Sequence, residues 1–80
     1  MKYEIKNFEN VDGKKLVGFY ITDDKDRKLA IDKYLPLVEE KTNEQYIKDA
    51  VNLCQEEVID WQNKFALVGQ IWNPITNSLE

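Results

Sequence analysis

Apolar residues recur at every second position through the first third of the chain and at every third or fourth position through its middle, and these two periods predict strands followed by a helix. Tyr3 and Ile5 alternate with Lys2, Glu4 and Lys6, as in a strand buried on one face. Asn10-Val11-Asp12-Gly13 then offers an Asp-Gly pair, which takes the positive φ angles of a tight hairpin turn. From Leu16 to Thr22 the chain is strongly β-prone. Val17, Phe19 and Ile21 share one face and Leu16, Gly18 and Tyr20 the other, so this strand is expected at the centre of the sheet. Asp23-Asp24-Lys25-Asp26 reads as a polar turn, and Leu29 to Tyr34 as a third strand with Leu29 and Ile31 inward. Three such segments with short connections predict an antiparallel meander.

Leu35-Pro36-Leu37 ends the strands, because proline cannot donate to a ladder and biases the residue before it away from helix. Thr42 with Gln45 three residues later is a capping-box pattern, so a helix is expected to start near residue 43. Ile47, Ala50, Val51, Cys54, Val58 and Trp61 then draw one apolar stripe, with Glu44, Lys48, Asn52, Glu56, Asp60 and Asn63 mostly off it. That pattern predicts a single long amphipathic helix over the sheet. After Lys64 the period changes again. Phe65 to Trp72 reads as another strand, interrupted at Gly69 and buried either on both faces or by a partner that pairs with it. Asn73-Pro74 predicts a turn, and 73–80 an extended carboxyl-terminal tail. The expected architecture is α+β, an antiparallel sheet of three to four strands packed on one long helix, in the order β-β-β-α-β, forming one domain over 1–80.

Composition narrows the function rather than the fold. With 42% hydrophobic and 32% charged residues the chain has apolar surface enough for a packed core, and 80 residues accommodate only one. Cores of this size contribute little net stability, which favours self-association as a further source. Residues 1–34 hold eight Lys or Arg against seven Asp or Glu, whereas residues 35–80 hold three against eight, so the acidity lies in the second half. A net charge of −4 argues against general duplex binding, which requires clustered Lys and Arg. The small basic groups Lys14-Lys15 and Lys25, Arg27, Lys28 are interleaved with Asp12, Asp23, Asp24 and Asp26. The single cysteine, Cys54, allows no intrachain disulfide and suits a reducing compartment. The amino terminus lacks the apolar core of a secretory signal, and no run approaches the roughly 20 apolar residues of a membrane span.

Candidate chemistry is sparse. Histidine is absent, which removes the commonest general base and metal ligand. Cys54 falls within the helical stripe with no histidine to activate it, so it is expected to be a small buried hydrophobe. Asp23-Asp24-Lys25-Asp26 resembles the start of a calcium loop, but counting from Asp24 places Leu29 and Leu35 where the glycine and the bidentate glutamate belong, which leaves a solvated turn. Glu56 and Glu57 diverge by about 100° on a helix and cannot work as a pair. No phosphate-binding glycine loop and no nucleophile elbow occurs. No catalytic, metal or cofactor residue is therefore assigned, and no cofactor is expected. The remaining signal is a surface. One helix covers one face of the sheet, which leaves Leu16, Tyr20 and Trp72 as candidates for the open face, with Asn73, Pro74 and Ile75 beside them as a docking segment.

In the second half of the chain, Thr42-Asn43-Glu44-Gln45-Tyr46 leading into a helix, followed by Val68-Gly69-Gln70-Ile71-Trp72-Asn73-Pro74 and Thr76-Asn77, resembles small structural proteins of tailed bacteriophages. The resemblance implies a non-enzymatic virion component, such as a head-decoration, neck or tail accessory subunit. Such a component is held in many copies by symmetric contacts and assembled in the host cytoplasm. Its partner would be protein, as a homo-oligomer or a larger viral assembly, with no role for membrane and none expected for nucleic acid. The other reading is a small cytoplasmic regulator that binds and modulates a host protein through its acidic helix.

Overall fold

The computed structural model describes all 80 residues, Met1 to Glu80. Strands β1 (Lys2–Val11), β2 (Lys14–Thr22) and β3 (Lys28–Pro36) form an antiparallel sheet in the order β1-β2-β3, with β2 in the centre. Helices α1 (Asn43–Leu53) and α2 (Gln55–Ala66) follow. Strands β4 (Trp72–Asn73) and β5 (Ser78–Leu79) form a separate two-stranded sheet. The α+β class and the meander expected from the sequence are present.

Both meander turns are built by their own residues. Val11 pairs with Lys14, leaving Asp12 and Gly13 as a two-residue loop at φ 50° and 76°, which matches the right-handed twist of the strands it joins. In the β2–β3 turn the Asp23 carboxylate accepts from the backbone N–H of Lys25 and of Arg27, each at 2.9 Å, and from Arg27 Nε at 2.6 Å. The acidic turn is thus organised around one of its own carboxylates.

Alternation breaks once, in β1. Ile5 pairs with Phe19 and Asn7 with Gly18, so Lys6 is an extra residue, a β-bulge that reverses the facing of everything after it. Tyr3 before the bulge and Phe8 after it therefore both pack on the same core. Ile5, expected on the buried side, stays exposed because β1 is an edge strand beyond the helix's cover. On the opposite face the bulge brings Lys6 Nζ to within 2.8 Å of Asp32 Oδ1, and Asn7 Nδ2 donates to the same oxygen at 3.3 Å. This network lies over Gly18, where an added Cβ would collide with the Asp32 carboxylate. Gly18 is the one strand position where the absent side chain makes room for a polar cover.

The core forms between the inner row of β2 (Val17, Phe19, Ile21), Ile31 and Leu35 of β3, and Tyr46, Ala50, Cys54 and Val58 of the helices. Tyr3 meets Phe19 edge-on at 5.8 Å between centroids, and Phe8 meets Tyr46 edge-on at 6.5 Å. Helix α1 starts as the sequence predicts. Thr42 Oγ1 accepts from the N–H of Gln45 at 3.2 Å, and Gln45 Oε1 accepts from the N–H of Thr42 at 2.9 Å. Tyr46, buried in the first turns of α1, fixes the preceding loop, since its hydroxyl accepts from Val38 N at 2.9 Å and donates to Val38 O at 3.1 Å.

Three sequence expectations need correction. The single long helix is broken at Cys54, whose φ of −95° and ψ of 3° lie off the helical values. At the break the Val51 carbonyl accepts from Cys54 N at 3.3 Å, Cys54 Sγ at 3.3 Å and Gln55 Nε2 at 3.0 Å, so side-chain donors crowd the helical ladder. Gln55 Nε2 also donates to Tyr3 Oη at 3.2 Å, which ties the break to β1. Next, the strand expected over Phe65 to Trp72 does not form. Phe65 and Ala66 complete α2 and a turn follows, because Phe65 continues the stripe of Cys54, Val58 and Trp61 at helical spacing. Finally, residues 73–80 fold back as a hairpin instead of trailing.

Val58 is the only fully buried residue of α2, and Trp61 packs partly buried against the core. The chain measures 59 × 22 × 18 Å with a radius of gyration of 17.2 Å, whereas a compact chain of this length has about 12 Å. Tyr46→Phe removes both hydrogen bonds to Val38 while keeping the ring, so it is expected to cost about 1 kcal/mol in urea unfolding. Tyr46→Ala also opens the core and is expected to cost about 3–5 kcal/mol. Equal losses in the two variants would show that the hydroxyl, not the ring, carries the role of Tyr46.

Candidate interaction surface

The residues picked out from the sequence occupy two separate places. Leu16 and Tyr20 do lie on the sheet face away from the helices, since they alternate with the inward Val17, Phe19 and Ile21. Neither is bare. Leu16 is only 8% exposed, flanked across the strands by Glu9 and Tyr34. The ring of Tyr20 is half-buried between Lys6 and Lys28, whose Nζ atoms stand 5.6 and 5.1 Å from its centroid. With the Lys6–Asp32–Asn7 network between these two residues, the open face is a polar surface with apolar inlays. Trp72 is not on this face but in the second sheet.

The second place is the carboxyl-terminal hairpin. Asn73 Oδ1 accepts from the N–H of Ile75 at 2.9 Å and of Thr76 at 3.4 Å, so the Asn-Pro pair turns the chain through its own side chain. Asn77 takes a φ of 55°, Thr76 Oγ1 and Ser78 Oγ are hydrogen-bonded at 2.8 Å, and the N–H of Glu80 donates to Ile71 O at 2.9 Å. Asn73 Nδ2 donates to Glu80 Oε1 at 3.2 Å, and Pro74 lies exposed in the loop. Trp72 pairs directly with Leu79, which puts both side chains on one face of the hairpin. Trp72 is 57% exposed, and Ile75 at the tip is 90% exposed.

Four further residues enlarge this surface: Leu67, Val68, Ile71 and Leu79 are all exposed. The sequence places the first three in a strand, buried on both faces or by a partner that pairs with it. The signal that would have found them is electrostatic, because from Phe65 to Leu79 there is no charged side chain, in a chain that is 32% charged overall. The run is anchored at its start. Phe65 packs edge-on against Trp61 at 5.9 Å, and the Arg27 guanidinium lies 4.0 Å from the centre of the Phe65 ring, joining the β2–β3 turn to the end of α2.

Several charges elsewhere are paired. Lys33 pairs with Glu57, and Lys41 with Asp49 at 2.5 Å. The Lys6 ammonium holds the Asp32 carboxyl below its ordinary value, against the opposing effect of burial. Desolvation works to raise Asp23, but the donors from Arg27 and Lys25 outweigh it and the carboxyl ends below its ordinary value. Burial, aided by the Glu57 charge, pushes the Cys54 thiol up. Depressions in the surface are open, and one of about 440 Å³ is rimmed by Val38, Glu39, Glu40, Lys41, Gln45 and Asp49. No group of three His, Cys, Asp or Glu side chains converges as a metal-holding set, and no helix is long and apolar enough to cross a membrane.

The fold and surface define an α+β meander with one helical layer and a projecting neutral hairpin. No protein-family model, no curated protein and no solved structure matches the chain.

Two pH effects follow from these environments. Asp23 and Asp32 ionise more readily in the folded chain than at the ordinary 3.8, so their stabilisation is complete above that value and is lost as pH falls below it. Cys54 is held protonated in the folded chain, so the unfolded chain releases that proton first and stability declines as pH rises past 9.0. Urea titrations at pH 8 and pH 10 are expected to show a larger alkaline loss in wild type than in Cys54→Ala. The thiol of the native chain should react with a disulfide reagent only as fast as the domain opens. Immediate labelling without denaturant would contradict its burial.

Proposed function

We propose that the chain is a non-enzymatic protein-binding subunit of a larger assembly, docked through its carboxyl-terminal hairpin. The observation that carries this reading is the uncharged run from Phe65 to Leu79, whose Leu67, Val68, Ile71, Trp72, Ile75 and Leu79 side chains all face water. Exposed apolar side chains concentrated in one uncharged segment cost solubility, and apolar surfaces of this kind mark contact sites. Trp at the centre of such a patch supplies a large contact area at low entropy cost. The resemblance of residues 42–46 and 68–77 to small structural proteins of tailed bacteriophages directs the reading to a virion accessory subunit of the head, neck or tail. Leu16 and Tyr20, inlaid in a polar face, take a secondary role in this proposal.

The test is incorporation. Particles are purified from cells that express the chain with its neighbouring genes, and the chain is quantified in them. Wild type is expected at a fixed number of copies per particle. The double variant Trp72→Ala/Ile75→Asp is expected to fold as wild type does and to fall in occupancy by about tenfold or more, as loss of interface anchors predicts. A chain found only in the soluble fraction, bound to one host protein, would instead support the regulator reading.

A further inference from the structure

We infer that the hairpin surface is occupied by a second copy of this chain, an inference that rests on the binding role proposed above and names the partner of that same surface. The first argument is area. Surface scales with mass in compact chains, and this length corresponds to about 5,000 Å². The structure exposes 6095 Å². The excess, about 1,000 Å², equals one partner's share of a stable protein–protein interface, which is about 600–1,000 Å². It accompanies an elongated shape, 59 Å along the longest axis, in which Leu67, Val68, Ile71, Trp72, Ile75 and Leu79 are all exposed.

The second argument is charge. Two copies each carrying −4 repel wherever their charged surfaces meet. A twofold contact places the same patch on both sides, so a charged residue at its centre faces its own copy. The segment from Phe65 to Leu79 carries no charge and so meets itself without that conflict. An acidic or basic partner would find no complementary side chain there.

The third argument is the hairpin's own marginality. Two strands of two residues each, held by the Asn73 turn and the Glu80–Ile71 bond, form a unit that is barely stable alone in water. The Trp72–Leu79 pair has no third strand or helix to cover it, as the exposure of both side chains records. A second hairpin laid against it buries both pairs at once.

The experiment uses the full chain, with sedimentation equilibrium over a range of concentrations. A reversible monomer–dimer equilibrium is expected. Ile75→Asp and Ile75→Lys, at a tip with no intrachain packing, should each leave circular dichroism and melting unchanged and weaken dimerisation by about tenfold or more, which corresponds to about 1.4 kcal/mol. Mixing the two variants should restore association, because opposite charges then meet across the axis. A wild type that stays monomeric overturns the inference, as does a dimer that tolerates both substitutions or a mixture that fails to recover. Monomers that bind phosphatidylcholine vesicles instead of each other overturn it in favour of a lipid surface. A monomeric wild type that still enters particles through the hairpin overturns the self-contact alone and leaves the binding role standing. A hairpin dimer never found in particles does the reverse.

Discussion

The inner row of β2 can be buried only against the apolar stripe of the helices, and the rest of the molecule is arranged around that contact. Val17, Phe19 and Ile21 are wholly removed from water by Tyr46, Ala50, Cys54 and Val58, with Ile31 and Leu35 alongside. Burying side chains of this size is worth about 1.5–3 kcal/mol each, and a domain this small has few others. The bulge at Lys6 belongs to the same contact, because it turns Phe8 towards Tyr46 after Tyr3 has already met Phe19. So does the break at Cys54, where Gln55 reaches Tyr3 and α2 begins.

One helical layer leaves the other sheet face to water, and the chain makes it soluble instead of covering it. Gly18 yields its volume to the Asp32 carboxylate, Lys6 and Asn7 close on that carboxylate, and Lys28 and Lys6 flank Tyr20. The carboxyl-terminal segment shows the opposite treatment. Its apolar side chains have neither a cover nor neighbouring charges, although the Asn73 turn holds them in a defined shape. That contrast within one chain is why the hairpin, and not the open sheet face, is the surface proposed to make contact.

Features written in local chemistry were legible in the sequence. Asp12-Gly13 set its turn, Thr42 and Gln45 capped α1, and the two-residue period sorted Val17, Phe19 and Ile21 from Leu16, Gly18 and Tyr20. Cys54 was placed in the stripe and lies fully buried there. The break at that same residue was not legible, since it depends on donors from Cys54 and Gln55 converging on one carbonyl while Gln55 reaches a strand 52 residues away. Phe65 to Gly69 misled because a short apolar run fits a strand or a buried helix end equally well, and only Phe65's place in the stripe separates the two. Of the candidate site residues, Asn73-Pro74 were legible as a turn, and the turn is present. Their separation from Leu16 and Tyr20 depends on the length of α2, which no local pattern reports.

If the hairpin associates as proposed, the sheet and helices are stable by themselves whereas the hairpin draws its stability from association. Amide hydrogen exchange at several protein concentrations measures this residue by residue. Amides of β2 should be strongly protected at every concentration, while those of Ile75, Thr76 and Glu80 should exchange freely when dilute and become protected as concentration rises. Hairpin amides as protected as those of β2 in the most dilute sample, or unprotected in the most concentrated, would contradict it.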